Sequence, residues 1–382
     1  MALSFWLLAE NKQAEKQESL ELIYEKLLMK KGFLMSELVK IWDLVKAKKP
    51  SDIHLSPNQR VYYRVNGVLE KLDTIVTEDQ IKKIILATST PKAREILGHQ
   101  RQVTYAENVD GIGRLRFSAF FERGRFAISL RVIEDSFMEL EDLGINEMQK
   151  KALFQQSGLV LVGSPSCEGK STTIASILNY MNHNFQKSIY TIENPVEFVY
   201  QDDKAAFIQR SIPVDISNFY NGLCEAYRVD PDVVVTDSVV YADALDQALT
   251  LAESGCLVIA STDGGDCLQI IERLTGLRVP EERENLRQRI ANQLRMIISQ
   301  RLVPTINNES RKPIFDIMIN TVQMKDLIKK NNVSMFRTIQ SQKEADGMRT
   351  FDKQLQNLVG KKIISMKTAI EFAIDKNKFV AI

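Results

Sequence analysis

Residues 158–173 combine an apolar run, a loop and the sequence Gly169-Lys170-Ser171-Thr172. The run Leu159–Val162 predicts a buried strand, and the apolar spacing after Thr172 predicts a helix. Strand, glycine-bearing loop, G-K-[ST] and helix form the P-loop arrangement, whose backbone N–H groups and helix N-terminus hold phosphates. In that arrangement Lys170 reaches the β- and γ-phosphates and the Ser171 hydroxyl binds Mg²⁺.

The loop departs from the pattern G-x-x-x-x-G-K at its first glycine. Position 164 is Ser164, and Gly163 lies one position early. Glu168 puts a carboxylate where phosphate should lie, so Coulomb repulsion disfavours binding. The alternative is a chance G-K-S in a strand-to-helix turn, but the flanking strand and helix favour the P-loop interpretation.

Two acidic residues follow other apolar runs of the same predicted sheet. Four such runs alternate with helical stretches, at residues 159–162, 189–192, 233–235 and 257–260. This is the α/β pattern with a largely parallel sheet, which binds ligands at the carboxyl ends of its strands. Glu193, Asp237 and Asp263 lie just past strand ends. We predict Asp237 as a metal-organising carboxylate and Glu193 as a general base; the alternative for each is a carboxylate that caps a turn.

Composition and length narrow the classes of protein. A chain of 382 residues allows two or three domains, and a net charge of +1 gives no argument for a nucleic-acid partner. The four cysteines lack C-x-x-C spacing and are expected to be reduced thiols of a cytoplasmic protein, without a zinc site. No apolar run is long enough to span a bilayer, so we expect membrane association only through a partner.

Helices and hairpins are predicted before the P-loop. Residues 1–32 carry an apolar stripe with charged residues opposite, which favours a docking helix over a membrane anchor. Helices are expected at residues 35–48 and 79–97, and Asn66-Gly67 predicts a tight hairpin turn.

A second hairpin is predicted to turn near residues 123–125. Alternation places Arg114, Arg116 and Arg131 on its polar face, which is either a solvated face or one that contacts phosphate. From Glu281 onward we expect several helices, with a polar loop at residues 303–312.

Six segments carry a resemblance to a known family. They are residues 51–56 (S-D-I-H-L-S), 158–162 (G-L-V-L-V), 191–199 (T-I-E-N-P-V-E-F-V), 230–234 (D-P-D-V-V), 249–255 (L-T-L-A-E-S-G) and 298–304 (I-S-Q-R-L-V-P). The chain resembles the PilT/PilU type IV pilus retraction ATPases of the secretion-ATPase superfamily, over about residues 35–375.

The resemblance implies an α/β chain with a RecA-like P-loop core, preceded by a PAS-like α+β domain and followed by a helical C-terminal region. The expected segments are 1–32 (helical extension), 33–135 (PAS-like), 136–300 (RecA-like) and 301–382 (helical). It also implies ATP and Mg²⁺ as ligands, a hexameric ring, and contact of N-domain arginines with phosphate or a neighbouring subunit, for which Arg114, Arg116 and Arg131 are candidates.

Several motif positions depart from the family. Its Walker A glycines fall at Ser164 and Cys167, its Walker B glutamate falls at Ser238, and its His-box histidine falls at Asp263. Asp237 restores an ordinary Walker B carboxylate. Losing one transition-state contact costs on the order of hundreds-fold in rate, so the substitutions together predict weak ATP turnover.

Three functions remain open from the sequence. The leading hypothesis is a cytoplasmic retraction-motor subunit with weak or no ATPase activity, acting in a ring or beside an active paralogue at the inner-membrane platform protein. The others are an active motor that uses Asp237 and Glu193, and a ring-forming binding module without nucleotide.

Overall fold

The computed structural model describes residues 38–65, 67–133, 136–307 and 310–379, and the predicted helix within residues 1–32 lies outside them. The chain divides into two compact units on either side of residues 134–135. Within the described parts of the chain, no helix is long and apolar enough to cross a membrane.

The described residues of the first unit form an antiparallel six-stranded sheet with three α-helices. The strand order is β3-β2-β1-β6-β5-β4. The strands are β1 (Asp52–Leu55), β2 (Gln59–Val65), β3 (Val68–Val76), β4 (Gln102–Val109), β5 (Gly113–Glu122) and β6 (Arg125–Val132). The helices are α1 (residues 38–45), α2 (Glu78–Thr88) and α3 (Pro91–Gln100). Both predicted hairpins are present, as β2–β3 and β5–β6.

One helix predicted at residues 79–97 is two helices in the structure. The Thr90 side chain accepts a hydrogen bond from the Ala93 N–H and so caps α3, and Pro91 occupies its first position. Proline lacks the N–H that would continue α2 and disfavours a helical residue before it. The predicted helical stretch is therefore present, and the break was not indicated because the apolar period runs through it.

The second unit is a seven-stranded sheet covered by helices. The strand order is β13-β12-β7-β11-β10-β8-β9, parallel except for the antiparallel pair β12–β13. The strands are β7 (Gly158–Gly163), β8 (Ser188–Glu193), β9 (Ala206–Ser211), β10 (Val233–Thr236), β11 (Leu257–Thr262), β12 (Leu294–Pro304) and β13 (Arg311–Ile319). The helices are α4 (Glu147–Leu153), α5 (Lys170–Asn184), α6 (Phe219–Val229), α7 (Ala242–Glu253), α8 (Cys267–Thr275), α9 (Arg283–Gln293), α10 (Val322–Lys330), α11 (Val333–Gln342), α12 (Phe351–Gly360) and α13 (Met366–Phe372).

The interior strand β7 contributes side chains to the core on both faces of the sheet. Leu159 and Leu161 pack into one apolar cluster, and Val160 and Val162 pack into another on the opposite face. All six residues of β7 are buried, as expected for a parallel strand with helices on both sides.

The expectation of helices alone after Glu281 is wrong for β12 and β13, and residues 303–312 are not all loop. The boundary expected at residue 300 falls inside β12. A short apolar run such as Met296–Ile298 does not distinguish a buried strand from a buried helix. The helical C-terminal region that was predicted begins at α10.

Candidate phosphate-binding site

The predicted P-loop arrangement is present. Strand β7 ends at Gly163, a loop spans residues 164–169, and α5 begins at Lys170. Gly169 has a φ of 87°, which L side chains rarely adopt, and a Cβ there would lie 2.7 Å from Gln300 Nε2. The glycine before Lys170 is therefore required by backbone conformation and by close packing.

The two residues that replace family glycines, Ser164 and Cys167, differ in burial and in backbone conformation. Ser164 is fully buried, and its hydroxyl donates to the carbonyl of Pro165 at 2.6 Å. Cys167 has a φ of 66°, in the left-handed region. A side chain in that region costs about 1–2 kcal/mol. The loop therefore keeps a glycine-type conformation at Cys167 and carries the strain of a side chain there.

Strand β12 holds the end of the loop, a contact that the sequence did not indicate. The Gln300 amide donates to the Glu168 carbonyl at 2.8 Å and accepts a hydrogen bond from the Thr173 hydroxyl. The Leu302 N–H donates to the Glu168 carboxylate. The sequence placed this carboxylate against phosphate, whereas the structure gives it a backbone partner on β12.

The Lys170 ammonium has three acceptors. It donates to Asp263 Oδ1 at 3.0 Å, to the Thr262 carbonyl at 3.0 Å and to the Ser164 carbonyl at 3.2 Å. Arg273 of α8 donates to the other oxygen of Asp263 at 3.4 Å. The predicted phosphate ligand Lys170 and the residue at the His-box position therefore form an ion pair.

The predicted acid pair lies at the ends of neighbouring parallel strands. Glu193 is the last residue of β8 and Asp237 follows β10, with Asp237 Oδ2 accepting from the Asn194 N–H at 2.8 Å. Both line one pocket with Ser171, the first hydroxyl of the G-K-S-T sequence. The pocket is lined by Ser171, Ile174, Ala175, Leu178, Glu193, Glu197, Phe198, Tyr200, Val235 and Asp237.

Sequence reasoning missed the residues that support Glu193. The Thr191 hydroxyl and the Gln209 amide both donate to Glu193 Oε1, the second at 3.3 Å. Thr191 could have been found, because residues two apart share a strand face. Gln209 lies on β9 and gave no sequence signal, and Glu197 was not singled out although it lines the same pocket.

Burial and mutual repulsion raise the pKa values of Glu193 and Asp237. Burial raises the pKa of Glu193 to about 7, the hydrogen bonds from Thr191 and Gln209 oppose this, and the charge of Glu197 adds to it. Burial, and then the charge of Glu193, raise the pKa of Asp237 well above its usual value. Burial and mutual repulsion therefore oppose full ionisation of the pair, and a bound cation would favour it.

We expect the contribution of Glu193 to the stability of the protein to fall as pH rises from about 4.5 to about 7. Over this range folded Glu193 keeps a proton that the unfolded chain releases, so ionisation opposes folding. Glu193→Gln removes this titration, whose contribution to stability is on the order of 1–3 kcal/mol. The stability of the variant relative to wild type should therefore rise as pH rises. The measurement is the urea midpoint at pH 5, 6, 7 and 8.

The matched control is Glu95→Gln, which removes a surface carboxylate paired with Lys92. It should leave the slope of the pH profile unchanged. An equal slope for wild type and Glu193→Gln would contradict the burial argument.

The donors fit Mg²⁺ only together with phosphate. No group of three or more His, Cys, Asp or Glu side chains within the described residues is arranged to hold a metal ion. Mg²⁺ commonly uses one or two carboxylates plus phosphate oxygens, so Ser171 and Asp237 in one pocket suit it.

The three candidate arginines share the polar face of the first sheet, as predicted. Arg116 lies opposite Arg131 in the β5–β6 register, and Arg131 donates to Asp52 at 2.7 Å. Arg114 donates to Asn108 at 3.0 Å. Asp52 therefore orients Arg131, and phosphate contact by the three arginines stays a prediction.

The parallel sheet, the strand–loop–G-K-S–helix unit and the acids at neighbouring strand ends define a P-loop protein with a RecA-like core. The chain belongs to the Type II/IV secretion system protein family, whose model matches residues 28–368, and within it to the type IV pilus retraction motors. This confirms the resemblance inferred from the sequence.

Relatives cover most of the chain. The type IV pilus retraction ATPase PilT of Pseudomonas aeruginosa is 32% identical over 85% of this chain and 94% of its own length. The type IV pilus ATPase PilU of the same organism is 28% identical over 89% and 90%. A crystal structure of the pilus retraction motor PilT with bound ADP has a TM-score of 0.79 at 28% identity, and the match covers 90% of this chain and 98% of that one.

Proposed function

We propose that this chain is a nucleotide-binding subunit of a type IV pilus retraction motor whose own ATP turnover is weak. The observation that carries the proposal is the state of Lys170: the phosphate-binding lysine and the helix N-terminus are retained, but an internal carboxylate already engages the lysine. The solved PilT relative contains ADP, which supports nucleotide binding by this chain.

Each site residue has a proposed role. Lys170 and the N–H groups of Gly169–Thr172 bind phosphate oxygens, aided by the partial positive charge of the α5 N-terminus. Ser171 and Asp237 are the candidate Mg²⁺ ligands, and the ion when bound neutralises phosphate charge. Glu193 orients the attacking water and accepts its proton. Arg114, Arg116 and Arg131 are proposed to contact phosphate.

The assembly is part of the proposal. We infer a hexameric ring that acts in the cytoplasm at the inner-membrane platform protein, beside an active paralogue, with no nucleic-acid partner. The covered length of the PilT and PilU relatives supports this, because both units of the chain have counterparts there.

A second candidate, the active motor, is favoured by one observation. The pKa of Glu193, raised to about 7, lies where a general base works best near neutral pH. The enzyme class in either case is an ATPase. The third possibility, a ring-forming module without nucleotide, has no such support in the site.

The test is a binding and turnover assay of the full chain. We expect a fluorescent ADP analogue with Mg²⁺ to bind, and ATP hydrolysis to lie well below that of PilT measured in parallel. Hydrolysis equal to PilT and abolished by Glu193→Gln would favour the active motor. No binding of either nucleotide at millimolar concentration would contradict the proposal.

A further inference from the structure

The Asp263 carboxylate forms an ion pair with Lys170, the proposed phosphate-binding lysine. An ammonium group has three N–H donors, and those of Lys170 already meet three acceptors within 3.2 Å. Two of these acceptors are backbone carbonyls, and Asp263 alone among the three carries a charge. A phosphate that binds Lys170 must therefore displace an acceptor, and it meets the Asp263 charge in doing so.

Packing by α8 fixes the loop that carries Asp263. Ile270 is fully buried and lies against both Gly163, where the P-loop begins, and Gly264, which follows Asp263. A Cβ would lie 2.3 Å from Ile270 Cδ1 at Gly163 and 2.4 Å from Ile270 Cγ1 at Gly264. The P-loop start and the Asp263 loop are therefore packed against the same side chain.

Helix α8 also places a second cation next to the Lys170–Asp263 pair. Arg273 lies one turn beyond Ile270 on that helix and donates to Asp263 Oδ2 at 3.4 Å. Asp263 thus bridges two cations, Lys170 and Arg273. The lysine side chain is 19% exposed and the aspartate 47%, so water reaches the carboxylate more readily than the ammonium.

We propose that Asp263 is an internal competitor for phosphate at Lys170 and that it sets the affinity of the loop for nucleoside di- and triphosphates. The inference rests on the proposed function and names its affinity-determining residue. When phosphate binds, it replaces the Asp263 carboxylate as the anion next to Lys170. The lysine therefore adds less to the binding free energy than it would in a loop where its acceptors are all neutral.

The experiment measures the affinity of wild type and Asp263→Asn for a fluorescent ADP analogue with Mg²⁺. Asparagine keeps the size and one acceptor but removes the charge, so we expect binding about five- to tenfold tighter. Asp263→Glu keeps the charge and should not show this gain in affinity. The matched control is Asp232→Asn, which breaks the Lys187–Asp232 pair (2.8 Å) at the other end of the sheet and should not change affinity.

A second readout does not depend on nucleotide. Acylation of Lys170 by an amine-reactive ester, followed by peptide mass spectrometry, should be faster in Asp263→Asn than in wild type. The gain in nucleotide affinity should also disappear in the double variant Asp263→Asn/Lys170→Ala.

The outcomes separate the two proposals. Wild-type binding with unchanged affinity and unchanged acylation in Asp263→Asn overturns the competitor role and leaves the proposed function intact. Binding by Asp263→Asn but not by wild type supports the competitor role and contradicts the proposed function. Binding by neither protein overturns both.

Discussion

Lys170→Ala is expected to weaken nucleotide binding by about 10- to 100-fold, because it removes a partly buried ammonium that donates to phosphate, and a hydrogen bond to a charged group is worth roughly 1.5–3 kcal/mol. The substitution removes the ammonium that bonds Asp263 Oδ1 at 3.0 Å and leaves that carboxylate beside the loop. A phosphate then meets a negative charge without the lysine. The measurement is titration with the fluorescent ADP analogue and Mg²⁺.

The control is Lys187→Ala, which removes a partly exposed lysine paired with Asp232 near the start of β8. It should leave nucleotide affinity unchanged, and circular dichroism should report the same fold for both variants. If Lys170→Ala binds as tightly as wild type, the loop at residues 164–169 is not the phosphate site, and the G-K-S sequence is a chance feature of a strand-to-helix turn.

The sequence predicted that Glu193, Asp237 and Ser171 lie together, because the geometry of a parallel sheet is enough to place them. Four apolar runs became β7, β8, β10 and β11, and in a parallel sheet their carboxyl ends meet at one edge. Glu193 and Asp237 therefore lie in one pocket with Ser171, as expected from their positions after strands.

The contacts that the sequence did not predict join residues far apart in the chain. Lys170 and Asp263 are 93 positions apart, and Gln300 reaches Glu168 from 132 positions away. Such pairs depend on strand order and on the register between neighbours. Strand β12 was expected to be helical, so its contacts with Glu168 were not accessible to sequence reasoning.

The contacts of β12 also change the interpretation of Glu168 in the substituted loop. From the sequence, Glu168 appeared only as a source of repulsion. In the structure the Leu302 N–H binds its carboxylate, and the carboxylate that engages the lysine belongs to Asp263. The proposed competitor for Lys170 is therefore Asp263, at the family's His-box position, rather than Glu168 in the loop.

Ile270 packs against Gly163, before the P-loop, and against Gly264, after Asp263. Gly163→Ala is expected to destabilise the protein by about 1–3 kcal/mol, because the new Cβ overlaps Ile270 Cδ1 in a fully packed core. The measurement is chemical unfolding. Gly98→Ala is the control, since nothing lies within 4 Å of its Cβ position in α3, and it should not destabilise the protein.

Rescue distinguishes this clash from a general intolerance of side chains. Ile270→Val removes Cδ1, so Gly163→Ala/Ile270→Val should be more stable than the sum of the single effects predicts, by about 1 kcal/mol. Valine retains both γ carbons, and Gly264 meets Ile270 at Cγ1, so Gly264→Ala should gain little from the same change. Equal rescue at both glycines would show that the two loops do not pack on Ile270 as described.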